Sequence, residues 1–138
     1  MKYLLDTNAC IALINGEPKA VRIRFRQALK HGATVSVSTV AAFELWYGVA
    51  KRGRPAANAE RVETFFSGPV DVLQFDDTDA RSAGHMRAQL EKRGTPIGAY
   101  DVLIAGQALK LGAVLVTDNE REFGRIPDLV IESWTQPD

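Results

Sequence analysis

Short apolar runs alternate along this chain with segments whose apolar residues recur at helical spacing. That alternation restricts the possible folds more than any single residue does. The runs Lys2 to Leu5, Thr34 to Ser38, Val70 to Phe75, Val114 to Thr117 and the shorter Leu129 to Ile131 read as strands. Between them, Val21, Phe25, Ala28 and Leu29 share one helical face, and Val62, Phe65 and Phe66 mark a second helix. Ala80, Ala83, Met86 and Leu90 mark a third, and Val102, Ala105, Gly106 and Leu109 a fourth. Strands separated by helices pair in parallel, and a parallel sheet needs cover on both faces. Right-handed crossovers then predict an α/β/α sandwich around a four- to five-stranded, mainly parallel sheet. The 138 residues suit one domain, 1–138. The Gly/Pro clusters at Gly16 to Pro18, Gly53 to Pro55, Gly68-Pro69 and Gly94 to Gly98 are short enough to be turns within it.

Composition removes several function classes. Seventeen Lys and Arg balance seventeen Asp and Glu, so attraction to nucleic acid would have to come from the placement of charges. The lone Cys10 has no partner for an internal disulfide, and the two histidines, His31 and His85, are far apart in sequence, which leaves no zinc-type cluster. An acid arrives at Asp6, too early for a signal-peptide apolar region, and no apolar run reaches membrane-spanning length. These features predict a cytoplasmic protein without membrane contact.

In open α/β sheets, ligands bind outside the carboxyl ends of the strands. The first strand ends in Asp6 and the fourth runs through Thr117 into Asp118, so both acids belong at one rim. Glu44 has Val40, Ala41, Tyr47 and Gly48 at helical spacing, and Asp101 has Ile104, Ala105 and Ala108. Both carboxylates therefore ride on apolar faces, where a charge is costly unless it is paired or bound to metal. Carboxylates brought together repel one another, and a divalent cation relieves that repulsion. Oxygen-only ligands favour a hard ion, Mg²⁺ or Mn²⁺, and such ions serve phosphate chemistry. No Ser-His-Asp or Cys-His arrangement competes.

Four segments together resemble the VapC toxins, PIN-domain ribonucleases of type II toxin–antitoxin modules. They are YLLDTNACIALI, VSTVAAFELWYG, GTPIGAYDVLIAGQALKLGAVLVTDNEREFGRIPDL and the final Trp134. The resemblance implies that Asp6 and Asp101 bind the metal directly, that Glu44 completes the site directly or through water, and that Asp118 is the fourth acid. It further implies that Thr117 and Asn8 orient water or neighbouring ligands. The implied activity is Mg²⁺- or Mn²⁺-dependent endoribonuclease cleavage of structured RNA, transfer RNA in particular. The implied partners are a VapB-type antitoxin whose tail covers the acidic site, a second copy in a homodimer, and a higher toxin–antitoxin assembly. Operator DNA would be contacted only through the antitoxin.

The remaining features have readings of their own. Lys51, Arg52, Arg54 and Arg121 lie next to the motif segments and are the basic residues placed to meet RNA phosphates; Arg22, Arg26 and Lys30 read as a solvated helix face. Trp46 and Tyr47 flank Glu44. Base stacking is one role open to them, but packing in the core, a dimer interface or an antitoxin groove is the expectation. Asp76, Asp77 and Asp79 precede a helical pattern and read as capping residues. A phospho-aspartate receiver or phosphatase is the alternative use of a strand-end acid. The phosphatase would need an acid where Asn8 stands, and the receiver a late strand-end lysine where Thr117-Asp118 stands. A non-catalytic RNA- or protein-binding module is a further alternative, against which the complete acid set argues.

Overall fold

The computed structural model describes residues 1–136 and sets a parallel sheet between layers of helices. The chain runs β1 (Lys2–Leu5), α1 (Thr7–Asn15), α2 (Lys19–Lys30), β2 (Thr34–Ser38), α3 (Thr39–Lys51), α4 (Pro55–Phe66), β3 (Asp71–Leu73), α5 (Asp77–Lys92), α6 (Ala99–Leu111), β4 (Val114–Val116), α7 (Glu120–Phe123) and β5 (Ile131–Glu132). Among the described residues the sheet has five strands, all parallel, in the order β3-β2-β1-β4-β5. The α/β/α sandwich expected from the alternation is the observed fold.

That strand order places a switch point at β1. The chain leaves β1 toward β2 and β3 on one side, then returns to lay β4 and β5 on the other. A crevice opens outside the carboxyl ends of β1 and β4 for this reason. The register is set by buried β-branched and leucine side chains: Leu5 pairs with Val37 on one side and Val116 on the other, and all three are fully or almost fully buried. Strands buried on both faces read as continuous apolar runs, which is why β1, β2 and β4 were legible.

The edges are shorter than their apolar runs. β3 covers Asp71–Leu73 rather than Val70 to Phe75. It pairs with β2 alone, Val72 is 46% exposed, and the Phe75 N–H donates to the Thr39 hydroxyl at 3.1 Å instead of to a strand. β5 starts at Ile131, after Asp128 turns the chain with φ of 68°. Helices α1 and α7 lie outside the periodic segments. Asp6 caps α1, its Oδ1 accepting the Ala9 N–H at 2.7 Å, and Asn119 caps α7.

Helices α5 and α6 approach closely at Gly106. A Cβ there would lie 2.7 Å from Ala83 Cα and 2.9 Å from its Cβ, so only glycine fits. The Asp76 carboxylate caps α5 in a capping box with Asp79, as the acid cluster predicts. Asp79 itself is buried, with Lys110 at 2.9 Å and the Gln107 amide at 3.4 Å. Ala80, placed on the apolar face by its spacing, is exposed because Asp79 takes the inward position. Among the described residues no helix is long and apolar enough to cross a membrane.

Candidate active site at the switch point

Asp6 follows the last residue of β1, and its backbone N–H still joins the sheet, donating to Val116 O at 3.1 Å. The strand therefore carries the carboxylate to the crevice and buries it, leaving 4% exposed. Burial pushes this carboxyl above its ordinary range. The Thr117 hydroxyl and the Ala9 N–H pull it back, and the charges of Asp118 and Glu44 push it up again. Thr117 is buried beside it and also accepts the Asn119 N–H at 2.9 Å.

Asp101 approaches from the first turn of α6. Burial and the neighbouring Glu122 raise its carboxyl to about 7, and Glu44 and Asp6 add to the shift. The Gly98 position is tight against it: a Cβ there would lie 3.2 Å from Asp101 Oδ2. Glu44, half-buried on α3, accepts the Thr7 hydroxyl at 2.7 Å, which ties α3 to the start of α1. Asp118 is exposed, and both its oxygens are engaged: Oδ1 accepts Ser133 at 2.5 Å and Oδ2 accepts Thr135 at 2.7 Å. Trp134 between them is buried against Tyr3 and Phe25, which fixes those hydroxyls in place.

The fold thus brings Asp6, Glu44 and Asp101 into one electrostatic neighbourhood, with Asp118 at its edge. Among the described residues, none of the four forms an ion pair with Lys or Arg. Nor does any group of three or more Asp, Glu, His or Cys side chains among the described residues stand close enough together to hold a metal ion. The donor set still fits a hard ion. Mg²⁺ commonly takes one or two carboxylates and completes its shell with water and substrate phosphate, and carboxyls raised by burial and by neighbouring acids, as Asp6 and Asp101 are, regain their charge beside a cation.

The family of PIN domains matches residues 3–129. The tRNA(fMet)-specific endonuclease VapC of Salmonella typhimurium is 42% identical over 134 residues, 97% of this chain and 98% of that protein. Ribonuclease VapC2 of Rickettsia felis is 36% identical over the same shares of both chains. This chain belongs to the VapC family of PIN-domain ribonucleases.

Solved VapC structures share the whole fold. VapBC2 from Rickettsia felis, bound to a promoter DNA fragment, superposes with a TM-score of 0.91 at 35% identity, covering 97% of this chain and 99% of that one. DNA-bound VapBC from Salmonella typhimurium gives 0.89 at 42% identity, covering 97% and 98%.

Two site residues escaped the sequence reading. Glu122 lies within the VapC-like segment VTDNEREF but has no periodicity to give it a role. In the fold it reaches across to α6, where Oε1 accepts the Gly98 N–H at 3.1 Å and Oε2 accepts the Asn119 amide at 2.7 Å. It supplies the N-terminus of α6 with an acceptor that Gly98 lacks and stands beside Asp101. The hydrogen bond with Asp101 holds Glu122 below its ordinary range, helped by Asn119 and the Gly98 amide. Thr7, inside the DTN turn, is the second, through Glu44.

The other expected residues are placed as follows. Asn8 is exposed on the first turn of α1. Lys51, Arg52 and Arg54 are exposed at the end of α3 and before α4, and Arg121 is exposed on α7. Arg52 and Glu44 line one groove, with Ile11, Gly48, Arg61 and Val62. Trp46 and Tyr47 are 38% and 57% exposed, so they are not core residues.

Proposed function

We propose that this chain is the toxin of a VapBC-type module, an endoribonuclease that hydrolyses structured RNA, a transfer RNA, with Mg²⁺ or Mn²⁺ at its acidic rim. One observation carries the reading: Asp6 is buried at the carboxyl end of β1, its charge acts on Asp101 of α6, and neither has a cationic partner among the described residues. The tRNA(fMet) specificity of the Salmonella relative supports the substrate class.

Asp6 and Asp101 would hold the ion, with Glu44 and Asp118 acting from beside it. When bound, the ion would neutralise phosphodiester charge and acidify a water molecule. The chain's own groups do the positioning. The Ala9 N–H and Thr117 hydroxyl orient Asp6, the Thr7 hydroxyl orients Glu44, and Ser133 with Thr135 orients Asp118. Asn8, exposed on the first turn of α1, would contact water beside the ion. Lys51, Arg52, Arg54 and Arg121 supply local positive charge to a chain with none in excess, so that phosphates can approach the carboxylates.

A VapB-type antitoxin, a homodimer, a higher toxin–antitoxin assembly that meets operator DNA through the antitoxin, and a cytoplasmic setting complete the proposal. The VapBC complexes of the structural relatives support the antitoxin. The test is to incubate purified protein with total transfer RNA and map new 5′ ends. Cleavage should require Mg²⁺ or Mn²⁺, stop on chelation, and vanish in Asp6→Asn and Asp101→Asn proteins that remain folded. Undiminished cleavage by either variant would remove the site assignment.

A further inference from the structure

Beside the acids runs a band of exposed aromatic side chains that the fold does not use for its core. Phe43, Tyr47 and Lys51 follow one another at four-residue spacing on α3 and so share a face. Phe43 is 52% and Tyr47 57% exposed. Across from α3, Tyr100 of α6 is 48% exposed, and its ring lies 5.5 Å from that of Phe43 at an angle of 55°. The Lys51 ammonium lies 5.7 Å from the centre of the Tyr47 ring. Phe43 precedes Glu44 and Tyr100 precedes Asp101 in sequence, so the two rings lie one residue from two of the acids, and the band ends in the cation Lys51; Arg52, one residue on, faces the groove that Glu44 lines.

Exposed apolar side chains gathered into one patch, unlike scattered single ones, mark a surface that meets a partner. Aromatics interleaved with cations suit unpaired nucleotides: each base offers a face for stacking while the cations follow the backbone. A purely apolar protein partner would gain nothing from Lys51, whereas a phosphate would. We propose that Phe43, Tyr47 and Tyr100, with Lys51, form a stacking platform that holds unpaired bases of the RNA substrate next to the Asp6–Asp101 site. The platform rests on the ribonuclease reading and adds to it the residues that position the strand. It requires the substrate to be single-stranded beside the bond that is cut, even where the RNA as a whole is folded.

The test separates binding from cleavage. In an Asp101→Asn background, affinity for a short unstructured oligoribonucleotide is measured by fluorescence anisotropy at fixed salt, with a duplex of the same sequence alongside. Phe43→Ala and Tyr100→Ala should each weaken binding of the unpaired strand by about 5- to 100-fold and leave the duplex unchanged. Phe43→Trp should restore it, and Phe43→Leu, which keeps packing but offers no ring, should not. Restoration by leucine, equal loss for strand and duplex, or unchanged affinity would overturn the platform. So would sedimentation showing that Phe43→Ala converts a dimer to monomers without altering affinity, because the band would then be an interface between copies. Wild-type cleavage of transfer RNA is followed in parallel, so that failure of the platform is distinguishable from failure of the ribonuclease reading.

Discussion

The Thr7 hydroxyl donates to Glu44 Oε1 across 2.7 Å, linking the first residue of α1 to the middle of α3. Thr7 also follows Asp6 directly, so one dipeptide supplies a buried acid and the hydroxyl that aims another. Groups that orient an acid from behind commonly matter about 10- to 100-fold for activity. Thr7→Ala should therefore lower cleavage by about 10-fold or more with little change in melting temperature, and Thr7→Ser should recover most of it. Initial rates on transfer RNA, measured for both variants, decide the matter; unchanged activity in Thr7→Ala would make the contact incidental.

Asp101 leads to a pH effect whose sign is fixed. Its carboxyl is raised from an ordinary 3.8 to about 7 by burial and by Glu122. The folded protein then binds a proton that the unfolded chain has released, so its stability contribution is present below about 4 and is lost as pH rises through about 7. Glu122 is shifted the other way, below its ordinary 4.5, so its contribution is present above about 4.5 and is lost as pH falls from there. Melting temperature in chelator should therefore decline between about pH 4 and 7, from the shift of Asp101. Asp101→Asn should flatten the decline, and added Mg²⁺ should raise the neutral-pH value. A melting curve rising steadily through that range would contradict the assignment.

Gly106 tests the packing that holds α6, and with it Asp101, in place. Alanine would improve helix propensity by about 1 kcal/mol. However, its Cβ would meet Ala83 backbone atoms at 2.7 and 2.9 Å, and backbone in a helix cannot swing aside. Overpacking typically costs about 1–3 kcal/mol, so the clash wins. Gly106→Ala should unfold at lower denaturant concentration than wild type; a gain in stability would show that α5 and α6 can part freely.

Asp79 is the counter-case among the acids. It is as buried as Asp6 but paired: Oδ1 takes Lys110 at 2.9 Å, and Oδ2 takes the Asp76 N–H at 2.9 Å. Asp79→Ala should lose about 1–3 kcal/mol of stability and leave cleavage per folded molecule unchanged. A loss of activity without a loss of stability, seen by pairing chemical denaturation with the RNA assay, would move this acid into the site.

Much of this was legible in the residues. The buried strands announced themselves as apolar runs, and Asp6 and Asp118 could be set at one rim because parallel strands end on the same side. The edges come out shorter than Val70 to Phe75 and Leu129 to Ile131 because edge backbone turns to nearer partners: the Val70 N–H goes to Gly68 O, the Phe75 N–H to the Thr39 hydroxyl, and Asp128 turns the chain before β5. Asp79 and Glu122 show the same limit on the polar side. Spacing gave one a capping role and the other none, and neither Lys110 nor Gly98 is near them in sequence.

The sequence by itself determined the order of the elements, the hands of the crossovers and which acids end strands or ride on apolar helical faces, because these follow from local periodicity and chain chirality. Only the tertiary structure decided which buried acid has a cation beside it, which has another carboxylate, and that Asp118 is engaged by Ser133 and Thr135. Charge in a protein is governed by what stands within a few ångströms, and those neighbours come from distant parts of the chain.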